Sequence, residues 1–178
     1  MTHENLTQVE VGQHAPDFVA QDLSGSEVRL STLIGGKRAL LLFYRGGWCP
    51  YCNQQLAAIA GDYQKFQDLN TVVVAVSGEE TLKGKELLQK IQLPFILLSD
   101  TTFRSIDMYG VRDNGVSDAL KARGIGQLPK PSAFVIDAAG MVRFRYVGKN
   151  ATDRPKNDDL LQALKKAGAP WKSAEFVN

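Results

Sequence analysis

The chain has 178 residues, of which 21 are basic and 19 acidic, for a formal charge of +2, and it contains two cysteines. That length fits one domain with a substantial core, and the scatter of both charge signs excludes the basic, aromatic-interleaved runs of nucleic-acid or membrane surfaces. Two cysteines are too few for a disulfide-built secreted scaffold, the N-terminus lacks a signal-peptide apolar stretch, and the longest apolar runs are strand-sized, so a cytoplasmic protein is expected.

Residues 1–10 read as a flexible arm, residues 11–170 as the folded domain and residues 171–178 as a tail. Phe18 to Gln21 and Glu27 to Leu30 form a predicted hairpin whose turn is supplied by Gly25, and Ser31-Thr32-Leu33 adds a helical turn before Gly35-Gly36. The apolar run Ala39 to Tyr44 then reads as a buried strand.

That strand ends in Gly46-Gly47 and is followed by Trp48-Cys49-Pro50-Tyr51-Cys52, with a helix predicted from about Pro50 to Asp68. Proline suits the first helical position, so Cys49 falls at the N-cap, where unpaired N–H groups and the helix dipole favour thiolate over thiol. Leu56, Ile59, Tyr63 and Phe66 recur at steps of three and four, and Cys52 extends this stripe inward. The pattern predicts a solvent-reachable Cys49 that attacks and a shielded Cys52 that resolves, with Pro50 and Tyr51 tuning the pair.

Two plainer readings compete: both cysteines as small buried hydrophobes, or half of a zinc site. Zinc needs further ligands, and only His3 and His14 are available, neither paired at ligand spacing. No metal or cofactor is expected.

Further along, Thr71 to Ser77 and Phe95 to Leu98 read as buried strands separated by a helix from about Glu79 to Lys90. This βαβαβ order predicts a largely parallel central portion with helices on both faces. Gly110 to Lys130 reads as a functional loop with a short helix around Val116 to Lys121. Ser132 to Asp137 and Met141 to Val147 form an antiparallel pair across Ala138-Ala139-Gly140, and a last helix spans Asn157 to Ala167.

The segments VGQHAPDF, LLLFYRGGWCPYC and PSAFVIDAAGMVRF, in this order, resemble the alkyl hydroperoxide reductase/thiol-specific antioxidant group of the thioredoxin-fold superfamily, in its peroxiredoxin-like C-x-x-C branch. The resemblance spans roughly residues 9–166. It implies an α/β thioredoxin-like fold, a central mixed sheet with an N-terminal hairpin extension, and a cysteine-based antioxidant enzyme.

Peroxiredoxins carry Pro-x-x-x-Thr-x-x-Cys and an arginine before a later strand. Laid on this chain without gaps, the peroxidatic cysteine falls on Cys52, the threonine on Cys49, the proline on Arg45 and the arginine on Pro131. The departures lean toward thiol/disulfide oxidoreductases: Trp48-Cys49 is similar to the opening of a thioredoxin site, Cys49 to Cys52 is a glutaredoxin-like tetrapeptide, and Pro131 stands where such proteins carry a cis-proline. A trans proline in the turn Leu128-Pro129-Lys130-Pro131 is the plainer alternative.

Around the pair, Trp48 reads as a contact surface or a core lid, and Arg45 as a stabiliser of the Cys49 thiolate or a solvated strand end; Lys130 has the same ambiguity. Asp137 reads as the cap of the turn toward Gly140, and Trp171 and Phe176 as packing on the domain or across a dimer.

Three functions follow in order of expectation. The first is a thiol/disulfide oxidoreductase cycling Cys49 and Cys52. The second is a thiol-dependent hydroperoxide reductase with Cys52 or Cys49 peroxidatic, and the third is a redox-sensing module docking a partner through the Gly110 to Lys130 loop. The implied partners are an oxidised protein or hydroperoxide substrate and a thioredoxin, glutaredoxin or glutathione reductant, with a homodimer as a common assembly among such relatives.

Overall fold

Alternation along one strand organises the interior. In β3 (Arg38–Phe43), Leu40 and Leu42, continued by Tyr44, face one core, whereas Ala39, Leu41 and Phe43 face another. All are nearly inaccessible, as expected of a central strand covered on both sides. The computed structural model describes residues 8–168.

The first core is closed by α2 (Pro50–Gly61), α3 (Tyr63–Asp68), α4 (Thr81–Lys90) and α7 (Asn157–Ala167), through residues such as Leu56, Ile59, Phe66, Leu87 and Leu164. The second is closed by α1 (Leu30–Ile34), α5 (Arg104–Met108) and the N-terminal segment. Its centre is an aromatic cluster of Phe18, Phe43, Tyr109 and Phe134, with neighbouring ring centroids 5.0–6.0 Å apart. The Tyr109 hydroxyl, inside this apolar cluster, donates to the Pro16 carbonyl at 2.9 Å.

Together with β1 (Val19–Gln21), β2 (Glu27–Arg29), β4 (Thr71–Ser77), β5 (Ile96–Ser99), β6 (Ser132–Ile136) and β7 (Val142–Val147), β3 forms a sheet of order β2-β1-β5-β4-β3-β6-β7. Only β3–β4 and β4–β5 pair in parallel, so the parallel portion is three strands wide and the sheet as a whole is mixed. The predicted thioredoxin-like arrangement is present, and the hairpin β1–β2 is joined to the sheet edge at Gln21 and Ser99.

Several expectations need correction. The helix predicted to run to Asp68 breaks at Asp62 (φ −98, ψ 10), where the carboxylate instead accepts from Asn157 and pairs with Lys65. Helix α5 has no counterpart in the apolar pattern; buried Asp100 builds it, accepting from the Ser105 N–H at 2.7 Å and the Ser105 hydroxyl at 2.6 Å. The 110–130 segment holds α6 (Asp118–Ala122), and its ends are joined by Asp113 N–H to Leu128 O and Lys130 N–H to Val111 O. Val9, placed in the flexible arm, is buried in the second core. Asp137 caps its turn as expected, with Oδ1 accepting from the Ala139 and Met141 N–H groups at 2.9 Å each. His14 is exposed, while His3, Trp171 and Phe176 lie outside the described residues.

Candidate active site

The C-terminal end of β3 delivers the chain to a turn that ends at the N-terminus of α2. Gly46 is required there: its φ is +154°, and a Cβ would lie 2.3 Å from Trp48 Nε1 and 2.8 Å from Glu79 Oε1. The turn is tied down by the Gly47 N–H donating to Glu79 Oε2 at 2.8 Å and Asn53 Nδ2 donating to Gly47 O at 3.0 Å. Burial raises the pKa of Glu79, against the pull of the Gly47 hydrogen bond and Lys83.

Cys49 is the N-cap of α2, Pro50 occupies its first position and Cys52 sits in its first turn, as the spacing predicts. Both cysteines are free thiols. Cys52 faces inward and is fully covered, but the expectation of an exposed Cys49 is wrong: it is 1% exposed. The cause is the core beneath and the indole beside it, since both sulfur residues and Trp48 belong to the first core. The Arg45 and Arg123 guanidinium groups both lie over the Trp48 ring, 5.2 and 5.4 Å from its centre. Tyr51, between the cysteines, is 44% exposed and meets solvent.

Cys52 Sγ accepts the Arg45 backbone N–H at 3.3 Å and Arg154 Nη2 at 3.1 Å. The Arg45 guanidinium lies on the other sulfur, with Nη1 3.9 Å from Cys49 Sγ, a distance at which its charge matters more than a hydrogen bond. Arg154 is fully engaged, giving Nε to Ala151 O at 2.9 Å and Nη1 to Gln55 Oε1 at 2.5 Å. Its guanidinium therefore has one fixed orientation, aimed at sulfur.

Sequence reasoning missed Arg154, which stands 102 positions from Cys52 and belongs to no spacing pattern. The loop that carries it is built against Pro131. Gly148 donates its N–H to Pro131 O at 2.8 Å, and a Cβ at Gly148 would lie 2.3 Å from Asp153 O and 3.0 Å from Pro131 Cγ. Asp153 accepts from Tyr146 and from the Lys149 N–H, and Asn157 Nδ2 bonds Ala58 O at 2.9 Å, fixing the loop's far end to α2. Pro131 is trans, which corrects the cis-proline expectation. Its observed contacts are with the Arg154 loop.

The two thiols titrate as a pair. The Cys49 pKa is lowered to about 5, first because Cys52 donates its side-chain hydrogen bond to it, then, against the cost of burial, through the Cys52 N–H and the Arg45 and Arg154 charges. Cys52 is pushed up, first because its proton is engaged with Cys49, then by burial and the Cys49 charge, with Arg154 and the Arg45 N–H opposing. The pair thus holds one proton and one negative charge at neutral pH. The hydrogen bond favours the charge on Cys49, and the closer cationic donor on Cys52 opposes that preference. Tyr44, buried at the end of β3, stays neutral because burial raises its pKa.

Chemically, such a pair can attack an electrophilic oxygen or sulfur and close a disulfide between neighbours on one helix turn. No group of three or more His, Cys, Asp or Glu side chains is arranged to hold a metal ion among the described residues. No helix among them is long and apolar enough to cross a membrane.

The chain is similar to known proteins in sequence and in fold. The family model described as AhpC/TSA family matches residues 11–145. Chloroplastic peroxiredoxin Q of Arabidopsis thaliana is 33% identical over 164 residues, covering 91% of this chain and 70% of that protein. The Oryza sativa subsp. japonica peroxiredoxin Q is 32% identical, covering 88% and 69%. Among solved structures, the reduced 2-Cys peroxiredoxin of Plasmodium vivax superposes with a TM-score of 0.70 at 25% identity, covering 88% of this chain and 94% of that one. Peroxidoxin BcpB of Mycobacterium tuberculosis shares the fold, with a TM-score of 0.77 at 22% identity, covering 89% and 98%.

Proposed function

The chain belongs to the AhpC/TSA family and is a cysteine-based antioxidant oxidoreductase, and from that premise we propose that it reduces hydroperoxides with Cys52 as the attacking sulfur and Cys49 as the resolving one. The observation that carries this reading is the pair of N–H donors on Cys52 Sγ, one of them the clamped Arg154 guanidinium. Such donors hold a thiolate and also the negative charge that develops on oxygen as the peroxide bond breaks.

In the proposed cycle the Cys49 thiolate takes the Cys52 proton, and Cys52 attacks the terminal peroxide oxygen. The O–O bond breaks, leaving Cys52 as a sulfenic acid, and the departing alkoxide takes the proton from Cys49. The Cys49 thiolate then attacks the Cys52 sulfur, and the displaced hydroxide leaves as water with a solvent proton. The products are one disulfide, one alcohol and one water. An external thiol reductant restores the dithiol. The same dithiol cycle would serve a general disulfide reductase, but the relatives named above favour peroxide as the oxidant. A cytoplasmic, reducing setting suits a pair that must be recycled.

A second reading puts Cys49 first, favoured by its lowered pKa and the Arg45 charge. One equivalent of peroxide followed by mass spectrometry separates them. Cys49→Ser is expected to accumulate a sulfenic acid on Cys52, while Cys52→Ser consumes peroxide at the buffer rate. Consumption surviving in Cys52→Ser and lost in Cys49→Ser would reverse the assignment.

A further inference from the structure

Beside the cysteine pair lies a groove of about 340 Å³ that the peroxide step does not use. It runs from Gly47 and Trp48 between α4 and the segment after α6, and its walls include Lys83, Lys90, Leu87, Arg123 and Ile125, with Glu79 and Glu86. Lys83 is engaged with Glu86 at 2.9 Å. Neither Lys90 nor Arg123 has a carboxylate at salt-bridge distance among the described residues. Arg123 instead stacks on the Trp48 ring. Lys90 acts on the Glu79 charge, so the groove offers one cationic group, Arg123, without a carboxylate partner, together with a short apolar wall and an aromatic edge, next to the residue that precedes Cys49.

We propose that this groove binds the thiol reductant, and that this reductant is a small peptide-like thiol bearing carboxylates. The inference rests on the dithiol cycle proposed above and identifies its partner. Size decides between a small thiol and a protein: pockets for small ligands start at about 300 Å³, whereas a protein partner covers roughly 800 Å² of each surface. Charge decides between a carboxylate-bearing thiol and a neutral one, because Arg123 is available to pair with an anion and Lys90, shared with Glu79, adds to the positive side of the groove.

The same contact gives access to sulfur. Cys49 is 1% exposed, so some neighbour must move before a thiol reaches it. A carboxylate paired with Arg123 competes with that guanidinium's stacking on Trp48, frees the indole and uncovers the Cys49 side of the disulfide. The bound thiolate attacks Cys49 Sγ, breaking the S–S bond and releasing the Cys52 thiolate. A second thiolate then attacks the ligand sulfur of the mixed disulfide, freeing Cys49 and producing the ligand's own disulfide. Two electrons pass from two thiolates to one disulfide, and one protein thiolate takes up a solvent proton.

The test uses the full chain oxidised with diamide, so that disulfide formation does not depend on peroxide, and follows re-reduction by alkylation and mass spectrometry. Glutathione serves as the carboxylate-bearing thiol and 2-mercaptoethanol as the neutral one. Wild type is expected to show saturation with glutathione, and Arg123→Glu to lower its rate constant by about tenfold, roughly the loss of one surface-exposed charge contact. The rate with 2-mercaptoethanol is expected not to fall, because loss of the Arg123 stacking leaves the indole free to move and needs no carboxylate to release it. Lys90→Glu gives an independent reading should Arg123→Glu fold poorly. Equal losses with both thiols, no loss with either, or reduction only by a thioredoxin-type protein would each overturn the proposal. Failure of the peroxide reading shows separately, as an absence of Cys52 oxidation by peroxide in otherwise reducible protein.

Discussion

Cys52 is a sulfur between a neutral proton donor and a fixed cation, and that balance sets its reactivity. Removing the cation should tip it. Arg154→Gln is expected to lower the rate constant for peroxide by on the order of a hundredfold, the range found when one donor to developing oxyanion charge is lost. Stopped-flow peroxide consumption measures this; a loss of stability alone would leave the rate of the folded fraction untouched. The pH profile adds a second reading. Because the pair ionises first with a pKa of about 5, wild-type reactivity should rise from pH 4 and level off above pH 6, with its midpoint near that value. Arg154 stabilises the ionised pair from both sides, so its loss should move the midpoint upward. An unmoved midpoint with a lowered plateau would assign Arg154 a steric role instead.

At the scale of elements, the turn between β3 and α2 governs where the pair sits. Gly46 has its conformation and its lack of Cβ both dictated by Trp48 and Glu79. Gly46→Ala places a methyl carbon inside contact distance of the indole, and the strained backbone adds to it, so a destabilisation of roughly 1–3 kcal/mol is expected from urea unfolding. Trp48 fluorescence should change as well, because the indole must shift against Arg45 and Arg123. The loop 148–157 plays the corresponding part for Arg154, braced by Pro131 at one end and, at the other, by the bond from Asn157 of α7 to Ala58 of α2.

For the whole molecule, the shared proton links folding to pH. The unfolded Cys49 thiol has an ordinary pKa of 9.0 and the folded one about 5, so the unfolded chain binds more protons between these values. Stability from this group is fully present above about pH 9 and is lost as pH falls toward about 5. Cys52 acts in the opposite sense: its folded pKa is raised above 9.0, so its contribution is present below that value and declines at higher pH. Reduced wild type should therefore gain urea resistance from pH 5 toward pH 9, relative to a Cys49→Ser/Cys52→Ser variant, and lose that advantage beyond it. Parallel curves for the two proteins would mean that the thiols are not coupled to the fold.

Much of this was legible along the chain because it is local. Unbroken apolar runs marked β3 and β4, the proline after Cys49 marked the start of α2, and the step of four from Cys52 to Leu56 turned that sulfur inward. What these local rules could not supply was how the covered surfaces meet. Cys49 is buried in a core against which Trp48 packs, and that ring meets two arginines from different segments, while the break at Asp62 comes with contacts to Asn157 and Lys65. Above all, the cation on Cys52 arrives from position 154, across a loop folded onto Pro131. Sequence alone determined the strands, the helix start and the two sulfurs, since backbone preference and side-chain periodicity act over a few residues. Only the tertiary structure decided which charges surround those sulfurs, because Coulomb attraction and hydrogen bonding depend on distance through space, and chain separation does not encode it.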